Sequence, residues 1–423
     1  MRVLVIGGGG REHTLCWKIS QSPRVNEIFC IPGNGGIEKV AICRELPYEK
    51  DFSSLISFVR REKIDFTVVG PEAPLVGGIV DQFEKEGLKI FGPSRKAARL
   101  EGSKVYAKQF MKKYGIPTAE FETFSDLKKA IDYIDEQKEP LVVKADGLAG
   151  GKGSIVTRSK EEAIEAARQL MEDKIFGSAG ERIVVEKRLK GEELSFFVIT
   201  DGVSFKVLVS SRDYKPAYDG DKGPNTGGMG SYSPAPLRPS LFKKIINRVV
   251  IPTLEGMKKE GTPYKGVLYL GLMIHSGEPK VLEYNCRFGD PETQVILPRL
   301  FNDIMELFQA VDKQRLDAVD LKWRSHATTC VVLTSKGYPG SYEKGKPIEG
   351  LDNLTRMRNV FAFCAGVKRE NGRFLTNGGR VVGVTGMGKN LKESIKTAYR
   401  AVKKISFEGM HYRRDIGYKG LVS

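Results

Sequence analysis

The stretch LVVKADGLAGGKG, residues 141–153, runs an apolar strand into Lys144 and then into a glycine cluster that carries Lys152. A lysine at the end of a rigid strand supplies a fixed positive charge. Gly147, Gly150, Gly151 and Gly153 let backbone N–H groups approach phosphate oxygens with no Cβ in the way. The P-loop instead puts its lysine and a Ser/Thr at the start of a helix, whereas here Gly153-Ser154 leads straight into another apolar run, SIVT. The pattern predicts a hairpin flap over a nucleotide, set against the alternative of a plain surface hairpin.

The chain has 423 residues, 40% of them hydrophobic and 28% charged, which is long enough for about three domains, each with its own core. It has no apolar run long enough to span a bilayer, and MRVLVIGGGGREH reads as a first strand and turn rather than a signal peptide, so a cytoplasmic protein with no membrane partner is expected. Six cysteines at 16, 30, 43, 286, 330 and 364 form no CxxC pair, so reduced core thiols are expected rather than structural zinc. The net charge of +16 is spread over helical patterns without an RNP-type aromatic signature. That favours a lysine-rich surface and phosphorylated ligands over a nucleic-acid partner.

Upstream of the flap, residues 1–103 repeat one device four times, a short apolar strand entering a Gly/Pro loop, in VLVIGGGG, EIFCIPGNGG, FTVVGPEAP and KIFGPS. This predicts a doubly wound α/β domain whose strand-end loops meet at one ligand crevice. The first loop departs from the dinucleotide fingerprint at Glu12, and the second strand ends in Pro32-Gly33-Asn34 where a ribose-binding acid is required. A smaller phosphorylated ligand, held by glycine N–H groups and Arg11, fits better; the alternative is that these glycines only allow tight strand-to-helix packing.

Residues 104–310 read as a second domain that contains the flap, with a subdomain over 118–187. Leu127, Ile131 and Ile134 share a helix face there, and Ser159 with Glu162 forms a capping box. In KVLEYNCRFGDPE (280–292), strand alternation puts Val281, Glu283 and Asn285 on one face, with Leu282 and Tyr284 on the other. A carboxylate and an amide oxygen pointing the same way suit Mg²⁺, which fills its remaining positions with water and phosphate oxygens. The segment DYKPAYDGDKGPNTGGMGSYSPAP (213–236) shows no hydrophobic periodicity and reads as a long functional loop, its NTGGMG core suited to an anion. Residues 311–423 are a strand-rich C-terminal domain with turns expected at Asn371-Gly372 and Asn377-Gly378, a helix capped by Asn390, and no catalytic cluster.

Taken together, GGGGREH, PGNGG, VVGPEAPL, FGPS, EGSK, VVKADGLAGGKG, GEELSF, GPNTGGMGSYSP and EYNCRFGDPETQ resemble the phosphoribosylamine–glycine ligases, collinearly from Met1 to at least Gly417. The resemblance implies an α/β and α+β multidomain fold: an N-terminal doubly wound preATP-grasp domain, an ATP-grasp core and a small C-terminal domain. It also implies that glycine, 5-phosphoribosylamine and ATP are the substrates, with Mg²⁺ or Mn²⁺ as cofactor. By similarity Lys104 and Lys144 bind the ATP phosphates, the flap with Gly151 and Lys152 closes over them, Glu186 to Leu189 face the adenine and Glu193 takes the ribose. Glu283 and Asn285 match the metal positions. Gly9, Gly10, Arg11, Glu12 and His13, with Gly33 and Asn34 of PGNGG, hold the phosphoribosylamine; Asp213, Lys215, Asn225, Thr226, Gly227, Gly228, Arg287 and Asp290 complete the acceptor site. Lys144, Arg287 and Asp290 carry the catalysis. The oligomeric state is left open, a monomer being compatible.

This chain departs from the family pattern at Gly8, Lys187, Arg188 and Tyr214, and GVLYLGLMI (266–274) lacks the carboxylate that many ATP-grasp proteins carry before the metal pair. The rival readings are another ATP-grasp ligase with a different acid or amine, a nicotinamide-dependent dehydrogenase and a nucleic-acid-binding module.

Overall fold

The computed structural model describes residues 1–354 and 356–421. Five parallel strands, β1 (Arg2–Gly7), β2 (Glu27–Pro32), β3 (Ile42–Cys43), β4 (Phe66–Val69) and β5 (Ile90–Phe91), lie in the order β3-β2-β1-β4-β5. β4 is buried along its whole length and β1 along all but its first residue, the mark of strands covered by helices on both faces. The strand order reverses at β1, and between the loops after β1 and β4 the Glu12 side chain fills the gap, a Cβ on Gly70 meeting it at 2.0 Å.

The flap subdomain is a separate antiparallel sheet of strands Phe121–Phe124, Ile183–Lys187, Leu141–Ala145 and Ser154–Val156, in that spatial order, backed by helices Leu127–Glu136 and Lys160–Met171. Ala130, Ile134, Val143, Ala163, Leu170 and Ile183 belong to a core of its own, distinct from the two cores under the rest of the chain. The Ser159 hydroxyl caps its helix by accepting the Glu162 N–H, and the Glu162 carboxylate answers one residue earlier than a capping box requires, on the Arg158 N–H.

The other half of the grasp is a four-stranded antiparallel sheet built on Glu192–Asp201, Lys265–His275 and Glu278–Asn285. Segment 213–236 is not one open loop. It holds a small hairpin, Pro216–Tyr218 with Lys222–Asn225, and the strand Gly230–Ser233, which joins Arg212–Asp213 to the C-terminal sheet through Ala327–Thr334. Strands of two to four residues, dense in Gly and Pro, carry no readable alternation, which is why the pairing was hidden.

In the C-terminal part, Asn371 and Gly372 take positive φ (49° and 77°) in a hairpin turn. At Asn377-Gly378 there is no hairpin; the Asn377 N–H donates to Gly366 O, and the chain passes into the larger sheet at Arg380. Asn390 caps the helix Leu391–Val402. This domain packs against the first one, with Trp17 edge-on to Phe361 (5.0 Å) and Phe363 (5.7 Å).

Candidate active site

Between the flap sheet and the second sheet lies a cavity of about 1700 Å³, lined by residues from all three domains. Lys144, at the buried end of its flap strand, reaches Glu186 (2.6 Å) and Leu282 O (3.1 Å). Lys108 pairs with the other Glu186 oxygen and donates to Thr118 Oγ1 (2.6 Å). Burial alone raises the Glu186 carboxyl, but the Lys144 and Lys108 ammoniums outweigh it and hold it below its ordinary value. Burial, with Lys144 nearby, brings Lys108 down to about 8 despite Glu186. Glu186 thus pairs with both lysines while lining the cavity.

Lys104 begins the helix Lys104–Lys113, and its ammonium donates to Gly147 O of the flap (3.1 Å). Asp146 ties the two elements by accepting from Ser103 Oγ and the Val105 N–H, both at 2.7 Å. Gly150 and Gly151 take positive φ (56° and 77°), and Lys152 at the flap tip donates to Pro339 O (2.8 Å). Leu189 and Glu193 line the opposite wall.

Glu283 and Asn285 both face this cavity, but not through simple alternation. Gly271 pairs with Glu283 and Leu272 with Val281, so Leu282 is an extra residue and the strand bulges. The bulge resets the alternation: Val281 is fully buried in the core instead of facing the cavity, whereas Leu282 lines it. The Glu283 carboxyl is lowered to about 2, chiefly by Lys215 (3.3 Å away) and against its burial, with Lys144 and Lys104 adding to the effect. An ionised carboxylate and an amide oxygen beside Lys104 and Lys144 fit a hard divalent cation that takes most of its ligands from phosphate and water.

Arg287 also lines the cavity, its guanidinium bridging Glu72 (3.1 Å) and Glu101 (2.7 Å). Burial works to raise the Glu72 carboxyl, but Arg287 and Arg11 outweigh it and hold it at about 2; Glu101 is pushed up by burial in spite of Arg287. The Asp290 carboxylate accepts from Gln294 (2.7 Å) and lies 3.4 Å from Arg380, which overcomes burial to keep it ionised, with help from Arg11. Burial raises the Asp213 carboxyl, and the neighbouring Glu292 charge adds to the shift. Lys215, Asn225, Thr226, Gly227 and Arg11 also line the cavity.

Seven expected substrate residues do not line it: Gly9, Gly10, Glu12, His13, Gly33, Asn34 and Gly228. Their polar atoms are answered inside the protein. Glu12 accepts the Gly9 N–H (2.6 Å) and pairs with Arg11 (2.5 Å), so Arg11 reaches the cavity already bound. His13 Nδ1 accepts the Cys364 N–H (2.8 Å) of the C-terminal domain, and burial lowers its pKa to about 4. Asn34 donates to Gly8 O and Cys364 O (both 2.8 Å) and accepts the Gly36 and Ile37 N–H groups. A Cβ on Gly10 would meet Gln294 at 2.6 Å, one on Gly33 the Cys43 sulfur at 2.3 Å, and one on Gly228 Pro291 at 2.4 Å. These glycines serve close packing.

Glu72, Glu101, Lys108 and Arg380 also line the cavity and were not singled out in the sequence, whereas Glu292 belongs to the charged run Arg287, Asp290 and Glu292 read there. Glu72 and Glu101 stand inside the quoted blocks VVGPEAPL and EGSK, which was a usable signal. Lys108 sits four residues after Lys104 on one helix face, and Arg380 had no signal at all.

Two sheets closing on a lysine-lined cavity, with a glycine flap on one and an acid–amide pair on the other, define an ATP-dependent ligase of the ATP-grasp type, a fold that uses ATP and a divalent cation. Models of the phosphoribosylglycinamide synthetase N domain, ATP-grasp (A) domain and C domain match residues 1–101, 102–293 and 328–419. The chain belongs to the phosphoribosylglycinamide synthetase family. It is 47% identical over 420 residues to the phosphoribosylamine–glycine ligase of Caldanaerobacter subterraneus (98% of this chain, 99% of the relative). It superposes on the crystal structure of the phosphoribosylamine–glycine ligase from Thermotoga maritima with a TM-score of 0.85 at 37% identity, covering 98% of this chain and all of that one. A biotin carboxylase from Campylobacter jejuni, 15% identical with a TM-score of 0.75 over 99% of this chain and 94% of that one, shares the fold alone. Among the described residues no helix is long and apolar enough to cross a membrane.

Proposed function

We propose that the protein joins glycine to 5-phosphoribosylamine, converting ATP to ADP and phosphate and yielding 5-phosphoribosylglycinamide, the second step of de novo purine synthesis, in the cytoplasm. One observation carries this reading: Lys104, Lys144, Glu283, Asn285 and Arg287, from separate segments, converge on one cavity in a chain that matches ligases of this name along its whole length.

In this reading a glycine carboxylate oxygen attacks the γ-phosphorus, the bond to ADP breaks, and glycyl phosphate forms. The amine of phosphoribosylamine adds to its carbonyl carbon, phosphate leaves, and the new amide nitrogen loses one proton. Lys104 and Lys144 hold the phosphates, Lys144 from a setting only 5% exposed, where low dielectric strengthens its charge. Glu186 acts by fixing Lys144 rather than by touching the base. Gly151 and Lys152 close the flap, Leu189 flanks the adenine and Glu193 the ribose. Arg287, oriented in advance by Glu72 and Glu101, faces the tetrahedral oxyanion. Asp290, kept ionised by Arg380 and Arg11, orients the amine and takes its proton, while Asp213, Lys215, Asn225 and Thr226 complete the acceptor wall. Glu283 and Asn285 hold Mg²⁺ or Mn²⁺, which when bound neutralises charge on the transferring phosphoryl group.

Mass spectrometry of a reaction holding ATP, Mg²⁺, glycine and phosphoribosylamine, with single omissions, tests the reading. Glycinamide ribonucleotide together with ADP, only in the complete mixture, is expected. ADP without that product removes the substrate assignment, and absence of both removes the ligase reading.

A further inference from the structure

The peptide at Gly227, in the acceptor wall, is held from both sides by the C-terminal domain. Its N–H donates to the Tyr338 hydroxyl (3.0 Å), and its carbonyl accepts from Arg380 Nη1 (2.7 Å), which also donates to Asp290 O (2.7 Å). Tyr338 and Arg380 share one scaffold: Ser335 binds Gly379 O through its N–H and Gly378 O through its hydroxyl, and a Cβ on Gly379 would strike the Tyr338 ring at 2.3 Å. The flap comes down on this same spot. Lys152 donates to Pro339 O (2.8 Å) and stands 5.9 Å from the Tyr338 ring centre, and a Cβ on Gly151 would lie 3.7 Å from Gly227 Cα and Thr226 O.

The flap belongs to a subdomain with its own core; Asp146 and Lys144 anchor its base, and its tip docks on what it meets across the cavity. What it meets is Pro339 O of the C-terminal domain, beside the 226–228 loop whose Gly227 peptide Tyr338 and Arg380 hold. We propose that Tyr338 is a positioning residue that makes flap closure over ATP conditional on a seated acceptor loop, so that the acyl phosphate forms only where the amine can reach it. This rests on the ligase reading above. When the coupling fails, water adds to the acyl phosphate carbonyl, the C–O bond to phosphate breaks, and glycine and phosphate leave with one proton released. ATP then becomes ADP with no product.

Tyr338→Phe removes the hydroxyl and keeps the ring, and Arg380→Lys shortens the reach to Gly227 O. The measured quantity is ADP formed per glycinamide ribonucleotide formed. Wild type should give a ratio near one and Y338F about two or more, with R380K shifted the same way. A merely structural role lowers both yields together and leaves the ratio at one, which overturns the proposal. Hydrogen exchange of the 147–153 amides with a non-hydrolysable ATP analogue gives a readout that does not depend on the acceptor's identity. Faster exchange in Y338F supports the coupling and equal exchange overturns it. A wild type that makes no glycinamide ribonucleotide defeats the substrate reading instead, and the exchange experiment still decides the coupling.

Discussion

The flap at 147–153 and the loops at 7–10 and 33–36 are alike in composition, and they differ in what surrounds their backbone. Around Gly150 there is open space and Gly151 makes only an ordinary contact with the 226–228 loop, whereas Gly147 and Gly153 at the base of the flap are packed, a Cβ on them meeting Ala179 at 2.7 Å and Ala149 at 2.6 Å. A Cβ on Gly8 would lie 2.5 Å from Gly33 O and one on Gly36 2.4 Å from the Cys364 sulfur. Glycine at the flap tip leaves space around the backbone, and in the two loops it makes room for another part of the chain. The comparison teaches that a glycine-rich strand end marks a close approach without saying what approaches.

The widest separation between the two regions should come from Arg287→Ala on the cavity side. Loss of the guanidinium removes the oxyanion partner and should lower kcat by about 10²–10³-fold while KM for ATP moves less than about threefold. It also leaves Glu101 without its cation and Glu72 with Arg11 alone, so the melting temperature should drop as well. Steady-state kinetics at saturating glycine decide the point, since turnover equal to wild type would take Arg287 out of the reaction.

Asn34→Ala probes the packed side. The side chain makes four hydrogen bonds, two of them to carbonyls on either side of the interface between the first and third domains. Removing it should cost about 2–4 kcal/mol of stability. KM for phosphoribosylamine should stay within about threefold of wild type. Urea titration and initial-rate kinetics on the same preparation separate the roles. A raised KM at unchanged stability would return Asn34 to the substrate site and collapse the contrast between the two loops.

How far each region was legible follows from the range of its contacts. The parallel sheet, the flap and the acid–amide pair announce themselves through patterns within ten residues, so all of them could be read from the chain. The bulge at Leu282 could not, because one extra residue in a strand leaves no trace in composition while it turns Val281 from cavity to core. Arg380 and Tyr338 lie 153 and 111 residues from the Gly227 peptide they hold, in a domain whose own sequence shows no cluster. The same distance hides the hydrogen bonds of His13 and Asn34 to the Cys364 peptide, more than three hundred residues away. Local chemistry can say that a histidine is poised to accept a hydrogen bond, but not from whom.

His13 offers the finest test of the packed side, through pH. Its pKa falls from 6.5 to about 4, because burial disfavours the imidazolium and the Lys39 charge adds to the effect. A depressed histidine binds its proton more readily in the unfolded chain. Its contribution is therefore complete above pH 6.5 and is lost as pH falls toward 4, about 2 kcal/mol of it by pH 5. His13→Asn keeps an acceptor near the Nδ1 position but cannot titrate, so the variant's denaturation midpoint should fall less than the wild type's between pH 7 and pH 5. Identical pH profiles would mean that the imidazole titrates freely, as a substrate-facing residue does, and the loop would then belong with the flap after all.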